Sequence, residues 1–243
     1  MRKVVYQIDI GREVRNKSKW AKIGHAETEY TIPSAKKYAK KIGADFITIK
    51  EPADEVKSLR STYQQSIATK VYLFREFLKT DYEKMLFLDC DVFVRDNAPD
   101  IFEYDQHKYN DLLIRRIRGL GNKMHMEAAK DVLNSEAAQF YNTGVFVTGR
   151  YSAERIHRSI VELYQGQRPP MPLRRPFDEC FLGHLIYESE TRTYPLSQIW
   201  NCPHHIKCRR EGFAFFVHYM GPKGKKALVE DAREIRNQPG DYL

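Results

Sequence analysis

None of the 243 residues falls in a run apolar enough to cross a bilayer. The opening segment, MRKVVYQIDIG, passes directly into a strand-like pattern without a signal-peptide core. A soluble, cytoplasmic protein is therefore expected. Cysteine is scarce: Cys90, Cys180, Cys202 and Cys208 are too few and too scattered for a disulfide scaffold, and none forms a CxxC pair. A reducing compartment fits that usage. Cys202, His204, His205 and Cys208 lie close together, but their spacing matches no common zinc pattern. Internal repeats and low-complexity tracts are also missing, which excludes solenoid and disordered architectures.

The length suits a single enzyme-sized α/β domain with room for a core and a cleft. The net charge of +8 suits a partner carrying phosphates: nucleic acid, an anionic membrane surface touched peripherally, or a nucleotide. Charge alone does not choose among them, because the lysines and arginines are spread along the whole chain.

Apolar, β-branched segments alternate with helical patterns. KVVYQIDI, a helix near 33–42 and ADFITI make a parallel α/β unit, and Ile67, Val71, Phe74, Phe77 and Leu78 recur at helical spacing before MLFL. MLFL reads as a strand buried on both faces. Further strands are expected at DLLI, GVFVT and FAFFVH. Helices are expected near 152–165, 177–188 and 225–236, and RPPMPLRRP reads as a long substrate-shaping loop.

The chemistry centres on MLFLDCDVFV. Side chains alternate along a strand, so Asp89 and Asp91 are expected to point to one side and Cys90 to the other, at the carboxyl end where open α/β sheets bind ligands. Two converging carboxylates need a cation to offset their repulsion, and hard oxygen ligands favour Mn2+ or Mg2+. The plainer reading is an aspartate ending a strand and another capping a turn. Asp178 and Glu179 follow Pro176 at a helix start, where acidic residues stabilise the dipole whatever else they do.

Four further motifs accompany the pair: Lys70 on the preceding helix, YNTGVFV from Tyr141, Asp178-Glu179, and HYMGP from His218. In this order they resemble glycosyltransferase family 8, the retaining enzymes that include glycogenin and the bacterial lipopolysaccharide galactosyltransferases. The resemblance spans about residues 66–226 and implies the GT-A fold, a Rossmann-like, mostly parallel sheet flanked by helices. It further implies one domain over 1–243, with a nucleotide-binding half near 1–95 and an acceptor and sugar half near 96–243.

By the same resemblance, Asp89, Asp91 and His218 are expected to bind metal, and Asp178 and Glu179 to act under the sugar ring. The donor-contacting set is Asp9, Lys70, Asp89, Cys90, Asp91, Asn142, Thr143, His218, Gly221, Lys223 and Lys225. The donor is expected to be a UDP-sugar, and the acceptor a glycan, a lipid-linked sugar or a protein. Two positions depart from the family pattern. Glu179 replaces the usual glutamine, and the lysine expected three residues after Gly221 is Gly224, flanked by Lys223, Lys225 and Lys226. A metal-dependent nuclease explains the charge and the carboxylate pair but leaves YNTGVFV and HYMGP without a role. A non-catalytic scaffold leaves the acidic and histidine set without one.

Overall fold

The computed structural model describes residues 1–11, 26–59, 61–104, 112–164, 177–205 and 213–237. The Pro- and Arg-rich loop expected at 168–176 lies outside them.

The chain begins with β1 (Lys3–Ile8), α1 (Ile32–Lys41), β2 (Asp45–Ile49), α2 (Thr62–Leu78) and β3 (Lys84–Leu88). Ser61 caps α2, its hydroxyl accepting from the Gln64 amide at 3.1 Å, which starts the helix at Thr62, five residues before the apolar repeat begins at Ile67. Then follow β4 (Val92–Val94), a single turn α3 (Ile101–Tyr104), β5 (Leu112–Arg116), α4 (Leu120–Leu133) and β6 (Tyr141–Gly149). The last part holds α5 (Arg150–Tyr164), α6 (Phe177–Glu188), β7 (Thr193–Pro195), β8 (Cys202–Pro203), β9 (Phe216–His218) and α7 (Gly221–Asn237).

Six strands form the main sheet in the order β2-β1-β3-β6-β5-β7. All run in one direction except β6, which pairs antiparallel with both β3 and β5. The reversal matters: Leu88, the last residue of β3, pairs with Val145, so the first residues of β6 lie beside the carboxyl end of β3. β3 and β6 are buried along their whole lengths, as expected for strands covered on both faces.

Alternation along the strands separates two cores. On one face Tyr6, Met85, Phe87, Ile114 and Phe146 pack against α2, α5 and α6; Phe146 stacks on both Phe74 and Phe87. On the other, Val5, Leu86, Leu88, Val145 and Val147 meet α1, Trp200 and a small second sheet of order β4-β9-β8. Filled positions of this kind make truncations such as Phe87→Ala costly, at about 3–5 kcal/mol.

Several expectations change. The strand expected at FAFFVH is only Phe216–His218, because it pairs over three residues with β4. α7 begins at Gly221 rather than near Lys225, since Gly221 adopts φ +65°, a left-handed turn that carries the chain straight from β9 into helix. α4 and β7 were not expected at all. α4 lacks a large apolar stripe: it buries His125 and Ala129, while Met124 and Met126 stay exposed. Cys202 is disulfide-bonded, which departs from the reduced-thiol expectation and removes it as a zinc ligand. No helix among the described residues is long and apolar enough to cross a membrane.

Candidate active site

Asp89 and Asp91 do converge, but not by strand alternation. β3 ends at Leu88 and β4, in the other sheet, begins at Val92; Asp89-Cys90-Asp91 is the turn between them, closed by the Val92 amide donating to the Asp89 carbonyl at 3.0 Å. The turn is pinned on two sides. The Asp89 amide donates to the Gly144 carbonyl on β6 at 2.8 Å, and the Tyr219 amide donates to the Asp91 carbonyl at 3.0 Å. The Cys90 thiol turns away toward the Ile8 carbonyl, 3.2 Å distant, and Thr31 holds the Cys90 carbonyl, so the cysteine side chain faces β1 rather than the carboxylates.

His218 closes the cluster from the end of β9. One ligand atom each from Asp89, Asp91 and His218 lies within 4.8 Å of the others. Its Nε2 is 3.3 Å from Asp91 Oδ1 and 3.7 Å from Asp89 Oδ2. The ring lies directly over Gly144, where any Cβ would run into it. That close approach accounts for the glycine of YNTGVFV in the middle of a strand.

A chain of hydrogen bonds fixes the tautomer of His218. Glu179 Oε1 accepts from Asn142 Nδ2 at 3.0 Å, and Asn142 Oδ1 accepts from Asn201 Nδ2 at 2.8 Å and from the Gly144 amide at 3.3 Å. Asn201 Oδ1 is therefore left to accept from His218 Nδ1, at 3.0 Å. A carboxylate only accepts, so it orients both amides, and a neutral His218 carries its proton on Nδ1. Its Nε2 lone pair then faces two carboxylates. Three acceptors pointing at one spot repel unless a cation lies among them, and this donor set fits a divalent ion. Asn201 is wholly buried and was absent from the expected site.

Two lysines, the buried Lys70 and the half-buried Lys225, are shared among four carboxylates. Lys70 Nζ is 2.9 Å from Asp89 and 2.8 Å from Asp178, and Lys225 Nζ is 2.5 Å from Asp91 and 3.0 Å from Glu27. Burial opposes the charged form of both lysines, but Asp178 and Asp89 hold Lys70 above its ordinary range, and Asp91 and Glu27 do the same for Lys225. Burial pushes the Asp89 carboxyl up, with Asp91 adding to the rise and Lys70 opposing it. For Asp91 and Asp178 burial acts upward but is outweighed, by Lys225 and His218 in one case and by Lys70 in the other, so both are lowered.

The displaced lysine acquires a physical reason here. A Cβ at position 224 would strike the Tyr219 backbone, so Gly224 has no room for a side chain, whereas Lys225, one residue on, reaches Asp91. Lys223 is exposed and Gly221 opens onto free space. Asp9 follows β1 and is half-buried, its amide bonded to the Ile49 carbonyl at 2.8 Å. Neighbouring Gln7 donates to the Asp89 carbonyl at 3.3 Å, which puts the end of β1 beside the turn.

Asp178 and Glu179 begin α6 but point to different partners. Asp178 accepts from Thr143 Oγ1 at 2.6 Å as well as from Lys70. Glu179 accepts from Asn142 and meets His125 of α4.

Residues 1–225 match the model of glycosyl transferase family 8. No curated protein sequence matches the chain. Among solved structures it resembles a glycosyltransferase involved in the glycosylation of the major capsid of PBCV-1, with TM-score 0.58, 17% identity and coverage of 96% of this chain and 100% of that one. Mouse xyloside xylosyltransferase 1 aligns with TM-score 0.51 and 11% identity over 90% of this chain and 97% of that one. The bifunctional glycosyltransferase WbbM aligns with TM-score 0.58 and 12% identity over 98% of this chain, which spans 50% of that longer protein. At these identities the structural likenesses establish the fold, which is GT-A.

Proposed function

The chain belongs to glycosyl transferase family 8, and from that membership we propose that it is a metal-dependent enzyme moving a sugar from a UDP-sugar to a hydroxyl of a glycan, lipid-linked or protein acceptor. The observation that carries the reading is the His218 Nε2 lone pair, oriented by Asn201 toward Asp89 and Asp91. Membership also sets aside the nuclease and scaffold alternatives.

Asp89, Asp91 and His218 would hold a manganese or magnesium ion, which when bound supplies positive charge to a leaving diphosphate. The mixed imidazole and carboxylate set suits manganese. Lys225 adds fixed positive charge beside Asp91, and Lys70 beside Asp89. In this reading residues 1–95 supply the nucleotide side, with Asp9 near the base, and residues 96–243 the sugar and acceptor side. Asn142 and Thr143 meet the donor sugar, Gly221 lets the backbone approach the diphosphate, and Lys223 lies at the rim.

Glu179 faces the sugar ring as an electrostatic stabiliser of oxocarbenium character, and transfer proceeds with retention. The test is a panel of UDP- and GDP-sugars screened with manganese for slow donor hydrolysis, followed by product NMR. The reading requires metal-dependent turnover of at least one UDP-sugar and a retained anomer. An inverted product overturns the stereochemical part, and no turnover of any sugar nucleotide overturns the whole.

A further inference from the structure

His125 lies on α4, whose sequence LGNKMHMEAAKDVL carries no motif, yet the residue is only 8% exposed and its ring meets Glu179. Nδ1 is 2.6 Å from the Gly121 carbonyl one helical turn back, and Nε2 is 2.8 Å from Glu179 Oε2. A carbonyl oxygen only accepts, so Nδ1 must carry a proton. A neutral ring with its proton on Nδ1 would then direct the Nε2 lone pair at a carboxylate oxygen, acceptor against acceptor at hydrogen-bond distance. The contact is stable only if a second proton lies between Nε2 and Oε2.

We infer that His125 and Glu179 share one proton, and that His125 is a positioning residue which keeps the Glu179 carboxylate charge-balanced and directed along Asn142 toward the sugar site. This rests on the proposed function for its catalytic consequence, and on the geometry alone for the proton.

The surroundings agree. On α6, Glu179 faces the ring directly, Asp178 acts on it from further away while engaged with Lys70 of α2, and Cys180 donates to the His125 carbonyl at 3.5 Å. The Cys180 thiol is pushed up to about 12 by burial and stays protonated. From β5, Arg115 acts on Glu179; burial lowers this guanidinium and Glu179 opposes the lowering. Asn142 of β6, which is uncharged, bonds Glu179, and the Phe140 ring just before β6 lies with its centroid 6.1 Å from that of His125. Burial acts to lower His125, but the bond to Glu179 and the Gly121 carbonyl outweigh it, and the imidazole is raised above its ordinary 6.5.

The proton is structural information for the active site. When pH rises through the His125 value the proton leaves to solvent, the two acceptors repel, and Glu179 turns from its place. Glutamine at position 179 would behave differently, since its amide N–H donates to the Nε2 lone pair of a neutral His125 and no second proton is needed. The family's usual residue and the one found here thus demand different protonation states from the same histidine.

Two measurements test this. In the first, 15N-labelled histidine NMR follows the wild-type protein and Glu179→Gln across pH. His125 in the wild type should have both ring nitrogens protonated at pH 7 and lose one at a pH above 6.5, whereas in Glu179→Gln it should be neutral at pH 7 with its proton on Nδ1. A wild-type His125 that is neutral at pH 7 overturns the inference, with no reference to catalysis. In the second, kcat/KM for the best sugar nucleotide is profiled against pH. The wild type should fall by about tenfold per pH unit on an alkaline limb, and both Glu179→Gln and His125→Gln should lack that limb, because the first leaves His125 without the shared proton and the second removes the imidazole. An unchanged limb in both variants overturns the positioning role. Absence of all turnover contradicts the proposed function and leaves the NMR result to decide the proton.

Discussion

The site holds two pairs of acidic residues, and they are built in opposite ways. Asp89 and Asp91 are separated by one residue, lie in a turn between two sheets, and converge with His218 so that ligand atoms fall within 4.8 Å of one another. Asp178 and Glu179 are adjacent, lie in the first turn of a helix, and diverge, one to Lys70 and Thr143, the other to His125 and Asn142. Convergent acceptors ask for a ligand from outside. Divergent ones are satisfied by the protein. The two pairs communicate through Lys70, which bridges Asp89 and Asp178, and through the amides of Asn142 and Asn201, which connect Glu179 to His218.

The bridge is the place to break both pairs at once. Lys70→Met leaves two half-buried carboxylates without their cation, and thermal or urea unfolding should show a loss of up to about 3–5 kcal/mol, the cost of an uncompensated charge when fully buried. Breaking only the convergent pair should spare the fold and damage the chemistry. Asp91→Asn is expected to lower metal-dependent donor turnover on the order of a thousandfold, with circular dichroism unchanged; a collapsed fold would make the residue structural instead. Gly144→Ala displaces His218 without substituting any of the three metal-binding residues, since the methyl group occupies the place of the ring. Overpacking there should cost about 1–3 kcal/mol, and added manganese should no longer raise the melting temperature.

Breaking the divergent pair should show as pH dependence. Because His125 is raised above its ordinary 6.5, the stability it contributes is fully present below that value and is lost as pH rises through the folded value. Wild type and His125→Gln should therefore differ most in unfolding free energy at acidic pH and draw together on the alkaline side; a difference that grows with pH would contradict the ion pair. The smallest effect sharpens the assignment of the displaced lysine. Lys223→Ala, on an exposed side chain, should change stability by less than about 0.5 kcal/mol and leave manganese binding intact. Lys225→Ala removes the ammonium 2.5 Å from Asp91 and should change manganese affinity.

The convergent pair was legible in the sequence and the divergent pair only partly. Five buried residues, Lys84–Leu88, run directly into Asp89, and that abrupt change from apolar to acidic locates a strand's carboxyl end. The reason for convergence was not legible, because a change of sheet between Leu88 and Val92 leaves the apolar pattern MLFL-DCD-VFV unbroken. Gly144 was visible as part of a motif, but its cause, the His218 ring lying against it, joins residues 74 positions apart. Lys223 and Lys225 could not be separated until Gly221 was seen to start a helix, which sets the faces they occupy.

Asn201 and His125 escaped for different reasons. Asn201 follows Trp200 in a short irregular stretch, and a lone asparagine between an aromatic and a cysteine carries no periodic signal. His125 sits on a helix that buries small and polar residues and exposes its methionines, so neither the helix nor its inward face had a pattern to read. The replacement of glutamine by Glu179 was the one clue. A carboxylate where an amide is usual requires a proton donor nearby, and the sequence offered no means of choosing which.

The most direct test of the metal-dependent nucleotide-sugar assignment is thermal unfolding of the wild-type protein and of Asp91→Asn with UDP, with and without manganese. At a hundredfold excess over its dissociation constant, a ligand stabilises the folded state by about 2.7 kcal/mol. The account predicts that UDP raises the melting temperature of the wild type only when manganese is present, and leaves Asp91→Asn unmoved in both conditions. Equal stabilisation of the two proteins, or stabilisation by UDP that is indifferent to manganese, would contradict it.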